Sequence, residues 1–249
     1  MKNTDSRLMD SISIPRLSFY EQYLGCKKTE EKIGAYVAYQ HLSADFFPVV
    51  QMIEVALRNS IDNTIRISRG EYWYNDVPVS EKSQSLVELA KKRSPKSGSR
   101  DDVICRLPLG FWVYLLDAPY RDTAHSSYIW SPENKELSFS NATNVFGSKM
   151  STNAIFLELR EILDLRNRLF HHEPMWKKHK CNSHEKALNN IKKDYLKLRR
   201  ILRYLSPDKD RLIEITQQKS HINTSCEIDY ITSVIGDVSK IFSNEAHTE

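Results

Sequence analysis

The side chains best suited to chemistry in this 249-residue sequence lie in one short stretch, from Leu165 to Trp176. A helix through this stretch would place Asn167 and His171, which are four positions apart, on one face. Arg166 would lie roughly 140° around that helix from His171, and its side chain is long enough to reach back toward the ring. Histidine transfers protons near pH 7 and arginine binds phosphate, so the stretch suits acid–base chemistry beside a phosphate group.

The same residues also have a simpler interpretation. The buried stripe of this helix is expected to consist of Ile155, Ile162, Leu165 and Leu169. Asn167 and His171 lie nearly opposite that stripe, where polar side chains are usually just solvated. His172 beside Glu173 would then form only a local ion pair. Spacing leaves both interpretations open.

The elements that must position this stretch are predicted to be helices. Glycine is scarce, at 7 of 249 residues, and the sequence has no glycine-rich phosphate loop. Helical periodicity is strong over 49–67, 80–93, 151–172 and 184–205, with Pro48 in a first turn, Ser80 as an N-cap and Pro174 ending the third of these helices. Further helices are expected near 17–23, 30–45, 208–219 and 227–242. Residues 1–15, 72–74, 91–100 and 119–147 are expected to be irregular. The sequence therefore predicts an all-α protein.

Charge, apolar runs and cysteine usage indicate what kind of partner and environment the protein has. Lys and Arg number 36 against 32 Asp and Glu, which permits nucleic-acid binding without requiring it. The first ten residues contain no apolar signal segment, and the longest apolar run, 107–116, is too short for a membrane helix of about 20 residues. We therefore expect a cytoplasmic, reduced protein without membrane contact. The four cysteines expected to be buried thiols are Cys26, Cys105, Cys181 and Cys226.

A metal site is not expected. His179, Cys181 and His184 are close in sequence, but their spacing matches no four-ligand pattern and a second ligand pair is missing. The sequence also has no Ser-His-Asp or G-x-S-x-G signal. We expect the protein to use no cofactor and no metal.

Four blocks of the sequence resemble one known family. The stretch Arg166-Asn167-x-x-x-His171, followed by His-Glu-Pro-x-Trp, is similar to the R-x4-H motif of the HEPN superfamily, in the form found in the Abi-like (AbiD/AbiF-type) bacterial abortive-infection proteins. Residues 53–59, with Glu54, Arg58 and Asn59, are similar to that family's E-x-x-x-R-N helix. Residues 107–112 are similar to its Leu-x-x-Gly-Phe-Trp block, and 17–23 to its opening segment. The resemblance covers roughly residues 15–205.

The resemblance implies a HEPN-type helical bundle with additional N- and C-terminal helices. Its divisions would be an N-terminal helical segment over 1–45, a core over 46–205, and a C-terminal extension of unknown role over 206–249. It also implies a metal-independent endoribonuclease that works as a homodimer and acts as a toxin in anti-phage defence. An RNA or protein antitoxin would be a partner beside the RNA substrate.

The resemblance also implies roles for individual residues. His171 would activate the RNA 2′-OH or protonate the leaving oxygen, Arg166 would hold the scissile phosphate, and Asn167 would be the variable polar position of the motif. Cleavage would leave a 2′,3′-cyclic phosphate and a 5′-OH. His172 would have a supporting role. Some HEPN toxins carry a modifiable tyrosine where this chain has Glu173, so control by such modification is not expected.

Two features keep alternatives open. Glu54 and Arg58 would either form an ordinary i,i+4 ion pair or help to orient the motif. Basic residues follow the motif and would either bind RNA or lie on solvated helix faces: Lys177, Lys178, Lys180, Lys192, Lys193, Arg199 and Arg200.

Five large aromatic residues are expected to lie mainly in the core, with base stacking as the alternative: Tyr72, Trp73, Tyr74, Trp112 and Trp130. Trp176 is expected to pack the chain behind Pro174. The alternative function is an RNA-binding protein of the same fold that holds a structured RNA without cutting it. A purely structural dimer is a third hypothesis, which gives Arg166 and His171 no role.

Overall fold

A computed structural model of the chain describes residues 4–95, 99–142, 145, 150–178, 180–217 and 220–245. Every regular element within these ranges is a helix, so the all-α prediction is confirmed. No helix in the described part of the chain is long and apolar enough to cross a lipid bilayer. Residues 96–98 of the predicted basic loop, Phe146 and His179 lie outside the described residues.

The helices alternate with short connections along the chain. In order they are α1 (Thr4–Ile12), α2 (Ile14–Leu24), α3 (Thr29–Ala44), α4 (Phe46–Arg69), α5 (Trp73–Asp76), α6 (Glu81–Arg93), α7 (Arg100–Arg106), α8 (Leu109–Tyr114), α9 (Ala118–Arg121), α10 (Pro132–Phe139), α11 (Thr152–Phe170), α12 (His184–Leu205), α13 (Pro207–Thr216), α14 (His221–Thr224) and α15 (Ile228–Glu245). The chain divides into two compact units. The first comprises residues 1–48, 168–197 and 213–249, and the second comprises 49–167 and 198–212.

The core of the first unit is built around Trp176. This side chain is fully buried and contacts the rings of Tyr20 and Tyr39, with centroid separations of 5.4 and 5.6 Å. The backbone carbonyl of Trp176 accepts a hydrogen bond from the side chain of Asn190 at 3.0 Å. The prediction that Trp176 is a packing residue is confirmed.

Helix α15, from the C-terminal extension, packs on α3 within the same unit. The two backbones approach closely at Gly34. A Cβ atom at that position would lie 2.6 Å from the Cα of Ile235, so the contact requires a residue without a side chain.

The core of the second unit is an aromatic cluster of Trp73, Phe111 and Trp112, which are fully or almost fully buried. The indole of Trp73 donates to Asp62 at 2.8 Å, and the indole of Trp130 donates to the Leu115 carbonyl at 2.6 Å. These partners satisfy the polar edge of each buried ring. The core interpretation holds for the tryptophans and for Tyr74, whereas Tyr72 is exposed.

Several segments expected to be irregular are short helices. They include α1 within 1–15, α5 at the Tyr72–Tyr74 segment, α9 at the start of 119–147 and α10 within it. Helices α7 and α8 form near 101–117, where the sequence predicts no particular element. These helices are too short to show a periodic apolar stripe. Their caps are nevertheless visible in the sequence, with Ser99 and Asp102 forming a capping box and Ser131 capping α10 before Pro132.

Two further expectations are corrected. Helix α11 ends at Phe170 rather than at residue 172. Cys26, Cys181 and Cys226 are buried as expected, but Cys105 is exposed because it lies on the outer face of α7.

Candidate functional site

His171 and His172 close the C-terminal end of α11. His172 has a left-handed backbone, with φ of 56°, and its N–H bonds to the Leu169 carbonyl at 3.1 Å. The N–H of Glu173 bonds to the Arg168 carbonyl at 2.9 Å. This pair of bonds is a Schellman motif, in which His172 takes the position usually held by glycine. The helix therefore stops before Pro174 acts, and His171 is its exposed cap residue.

The turn after α11 is fastened within the first unit by two arginines. The guanidinium of Arg168 donates to the carbonyl oxygens of Pro174 and of Lys177, the latter at 3.0 Å. Arg16, from α2, donates to the His172 carbonyl at 3.0 Å. These bonds satisfy backbone carbonyls that have left the helix and fix the path of the chain that follows the histidines.

Arg166 and Glu54 meet in the second unit. The Glu54 carboxylate, on α4, lies 3.8 Å from the Nε of Arg166, on α11, and each side chain is about one quarter exposed (25% and 26%). Partial burial makes such a pair stronger than one in open solvent, since less water screens it. Glu54 therefore restrains the guanidinium of the motif arginine.

Arg58 takes a different direction. Its guanidinium donates to the carbonyl oxygen of Cys105 at 3.4 Å and approaches the side-chain oxygen of Asn59 at 3.5 Å. Among the described residues, Glu54 is paired with Arg166 and not with Arg58. The two residues of the E-x-x-x-R-N segment thus act separately, one on the motif and the other on the end of α7.

A cleft of about 890 Å³ opens in the second unit beside Arg166. Its volume lies within the range typical of small-molecule sites. Helix α11 contributes Leu163, Asp164, Arg166 and Asn167 to its wall. The rest of the wall includes Ser80, Pro108, Leu109, Gly110, Phe111, Tyr120 and His125.

Three of the four blocks that carry the family resemblance converge on this cleft. Arg166 and Asn167 line it, and the 107–112 block supplies Pro108 to Phe111. The 53–59 block supplies Glu54, which holds Arg166. Residues separated by about fifty positions or more along the chain are therefore neighbours at one site.

His125 was not identified from the sequence, although it lines the same cleft. Its Nδ1 accepts a hydrogen bond from the Ser127 N–H at 3.1 Å, so the neutral ring carries its proton on Nε2. His125 follows α9 in a segment without periodicity, and only its position in the wall of the cleft marks it. The cleft thus contains an imidazole N–H donor as well as a guanidinium.

Tyr120 provides a further polar group in the cleft wall. Burial raises the pKa of its hydroxyl, while the Ser80 N–H, which donates to that oxygen at 3.3 Å, acts in the opposite direction. The phenol therefore stays protonated at neutral pH.

Three of the predicted RNA-binding residues are engaged with carboxylates. Lys178 pairs with the buried Asp194 at 2.5 Å. Arg200 donates to Glu158 at 2.7 Å, and Arg199 donates to Asp210, which is also buried. Buried carboxylates need such partners, so Lys178 and Arg199 have structural roles, whereas Glu158, the partner of Arg200, is one quarter exposed. Within the described part of the chain, the predicted cations without a carboxylate partner are Lys177, Lys180, Lys192 and Lys193.

Comparison with known proteins gave no match. No model of a known protein family fits the chain, and neither a curated protein nor a solved structure was found to be similar to it.

Proposed function

We propose that this protein is a metal-independent endoribonuclease of the HEPN type, with Arg166 and His171 as its principal catalytic residues. The observation that carries the proposal is the convergence of three motif blocks on the cleft of the second unit, with the guanidinium of Arg166 restrained by Glu54. A restrained arginine at the wall of a cleft is suited to bind the scissile phosphate and the charge that develops on it.

The proposed reaction is an internal transfer. A base removes the proton of the ribose 2′-OH, and the oxygen attacks the adjacent phosphorus. The bond to the 5′ oxygen breaks, and an acid returns a proton to that oxygen. The products are a 2′,3′-cyclic phosphate and a 5′-OH. The histidine at 171 would transfer one proton, and a second copy of the chain would supply its own His171 for the other.

The test is incubation of the purified protein with total bacterial RNA in EDTA. We expect cleavage that leaves cyclic-phosphate ends, and we expect His171→Ala and Arg166→Ala to lower the rate at least 100-fold. Glu54→Gln should lower it about tenfold, because the guanidinium keeps its charge but loses its restraint.

Two matched variants serve as controls. Arg160→Ala removes an exposed arginine two turns earlier on the same helix, and His41→Gln replaces an exposed histidine while keeping a hydrogen bond to Tyr230. Both should cleave like the parent. Undiminished cleavage by His171→Ala would exclude the proposed mechanism.

The proposed biological role is that of a toxin in abortive infection. Induced expression of the parent protein should then stop bacterial growth, whereas expression of His171→Ala should not. The alternative, an RNA-binding protein that does not cut, predicts that RNA is recovered intact from the parent protein and from both catalytic variants.

A further inference from the structure

A groove of about 630 Å³ on the first unit combines cations with aromatic rings. Phe19 and Tyr23 stand four positions apart on α2, half-buried, and their rings lie 6.3 Å apart. The facing wall is the segment after α11. It contributes Arg168, Glu173, Pro174, Lys177, Lys178 and Lys180.

The lysine ammonium at 177 shows that the ring faces are open toward the groove. Its Nζ lies 3.7 Å from the centre of the Phe19 ring and 5.0 Å from that of Tyr23. A cation held in this way occupies the surface on which a flat aromatic group would stack. It also stands where it would reach a phosphate once such a group displaced it.

Two backbone features shape the described part of the segment that carries the lysines. Lys180 has a left-handed backbone, with φ of 65°, and the Lys177 N–H bonds to the Pro174 carbonyl at 3.2 Å. Lys178 anchors the loop through buried Asp194, so it does not provide a free charge. Arg168 is bonded to backbone carbonyls, so among the described lining residues Lys177 and Lys180 are the cations available to a ligand in this groove.

We propose that this groove binds single-stranded RNA, with bases stacked on Phe19 and Tyr23 and the backbone phosphates paired with Lys177 and Lys180. Rings flanked by cations are the usual means of holding a single strand without reading its sequence. A duplex would not fit this role, because its bases are already stacked on one another. The choice of RNA over DNA rests on the proposed function.

The test is fluorescence anisotropy with a short, labelled 2′-O-methyl oligouridine, which has no free 2′-OH and cannot be cleaved by the proposed reaction. We expect Phe19→Leu, which keeps the apolar volume but removes the ring, to weaken binding about tenfold. Lys177→Gln should reduce the slope of log affinity against log salt by about 0.7, as expected for the loss of one phosphate contact. Tyr72→Leu, at an exposed tyrosine of the second unit, should bind like the parent.

Each outcome decides the proposal. Equal binding by Phe19→Leu and the parent would overturn it, as would equal affinity for a hairpin duplex of the same length. Thermal melting of each variant separates loss of binding from loss of folding, and Lys177→Gln, a surface change, provides an independent readout. If the parent binds the oligonucleotide but leaves unmodified RNA intact, the groove stands and the nuclease proposal fails. If the parent cuts RNA while the groove variants bind the oligonucleotide normally, the nuclease proposal stands and the groove proposal fails.

Discussion

At the scale of single residues, the backbone conformation of His172 is unusual for a residue with a side chain. His172 adopts a left-handed conformation at the end of α11, where most helices place glycine. A residue with a Cβ atom is strained there by about 1 kcal/mol or more, although histidine tolerates the region better than most residues. The bonds around it, from Arg16 to its carbonyl and from its own N–H to Leu169, hold it in place.

Replacement of His172 by glycine should therefore stabilise the protein. We expect a gain of about 0.5 kcal/mol, the relief of strain being partly offset by the greater freedom of glycine in the unfolded chain. His172→Val should instead cost about 1–2 kcal/mol, because a β-branched residue fits the left-handed region poorly. Calorimetric melting of the three proteins checks the order, and a valine variant as stable as the parent would contradict it.

At the scale of elements, the docking of α15 on α3 depends on one close approach. Because the Cβ of any residue at 34 would press on the backbone of Ile235, the neighbour cannot yield by a change of rotamer. The whole of α15 would have to move outward, which would expose apolar surface between the two helices.

Gly34→Ala should accordingly destabilise the first unit by about 1–3 kcal/mol. The matched change is Gly236→Ala, on α15 itself, where an added Cβ meets nothing within 4 Å. That variant should be neutral or more stable by up to about 1 kcal/mol, since alanine favours a helix over glycine. Chemical denaturation measures both, and equal effects at the two positions would show that close packing at Gly34 does not matter.

Some helix ends are predictable from the local sequence and others are not. Helix α6 starts where Ser80 predicts, because its hydroxyl accepts the Ser83 N–H at 3.3 Å, a contact between near neighbours in the chain. The end of α11 could not be predicted in this way, since histidine is not a usual residue for the left-handed position.

The site was predictable only in part, for a similar reason. The motif residues are recognisable only together with the other three sequence blocks. The contact of Glu54 with Arg166 joins positions 54 and 166, and no local pattern predicts it. Lys178 and Arg200 pair with Asp194 and Glu158, which are 16 and 42 positions away. The clustering of basic residues in the sequence does not reveal these partners.

At the scale of the whole molecule, the chain forms two units, each assembled from separated segments. The first unit encloses a polar cluster away from the groove. The His184 ring stacks on Tyr39, whose hydroxyl lies 3.0 Å from its Nδ1, and its Nε2 lies 3.8 Å from the sulfur of Cys26. Burial lowers the pKa of His184 and raises the pKa of Cys26 to about 11, so both groups are neutral at pH 7.

This cluster makes stability depend on pH. The unfolded chain takes up a proton at His184 near pH 6.5, whereas the folded protein takes it up only at lower pH. Stability is therefore complete above pH 6.5 and falls as the pH drops from there toward the folded pKa. His184→Gln, which keeps a partner for Tyr39, should flatten this part of the curve of unfolding free energy against pH. Parallel curves for variant and parent would contradict the assignment.

Of the four cysteines, only Cys105 is exposed, and this gives the native chain one addressable thiol. A maleimide dye or nitroxide added to the folded protein would attach to α7, three positions before Pro108 in the cleft wall, with no cysteine having to be removed first. If two copies associate, the distance between their two probes can be measured by energy transfer or by double electron–electron resonance. Labelling at Cys105 would thus show whether the protein forms the dimer that the proposed nuclease activity requires.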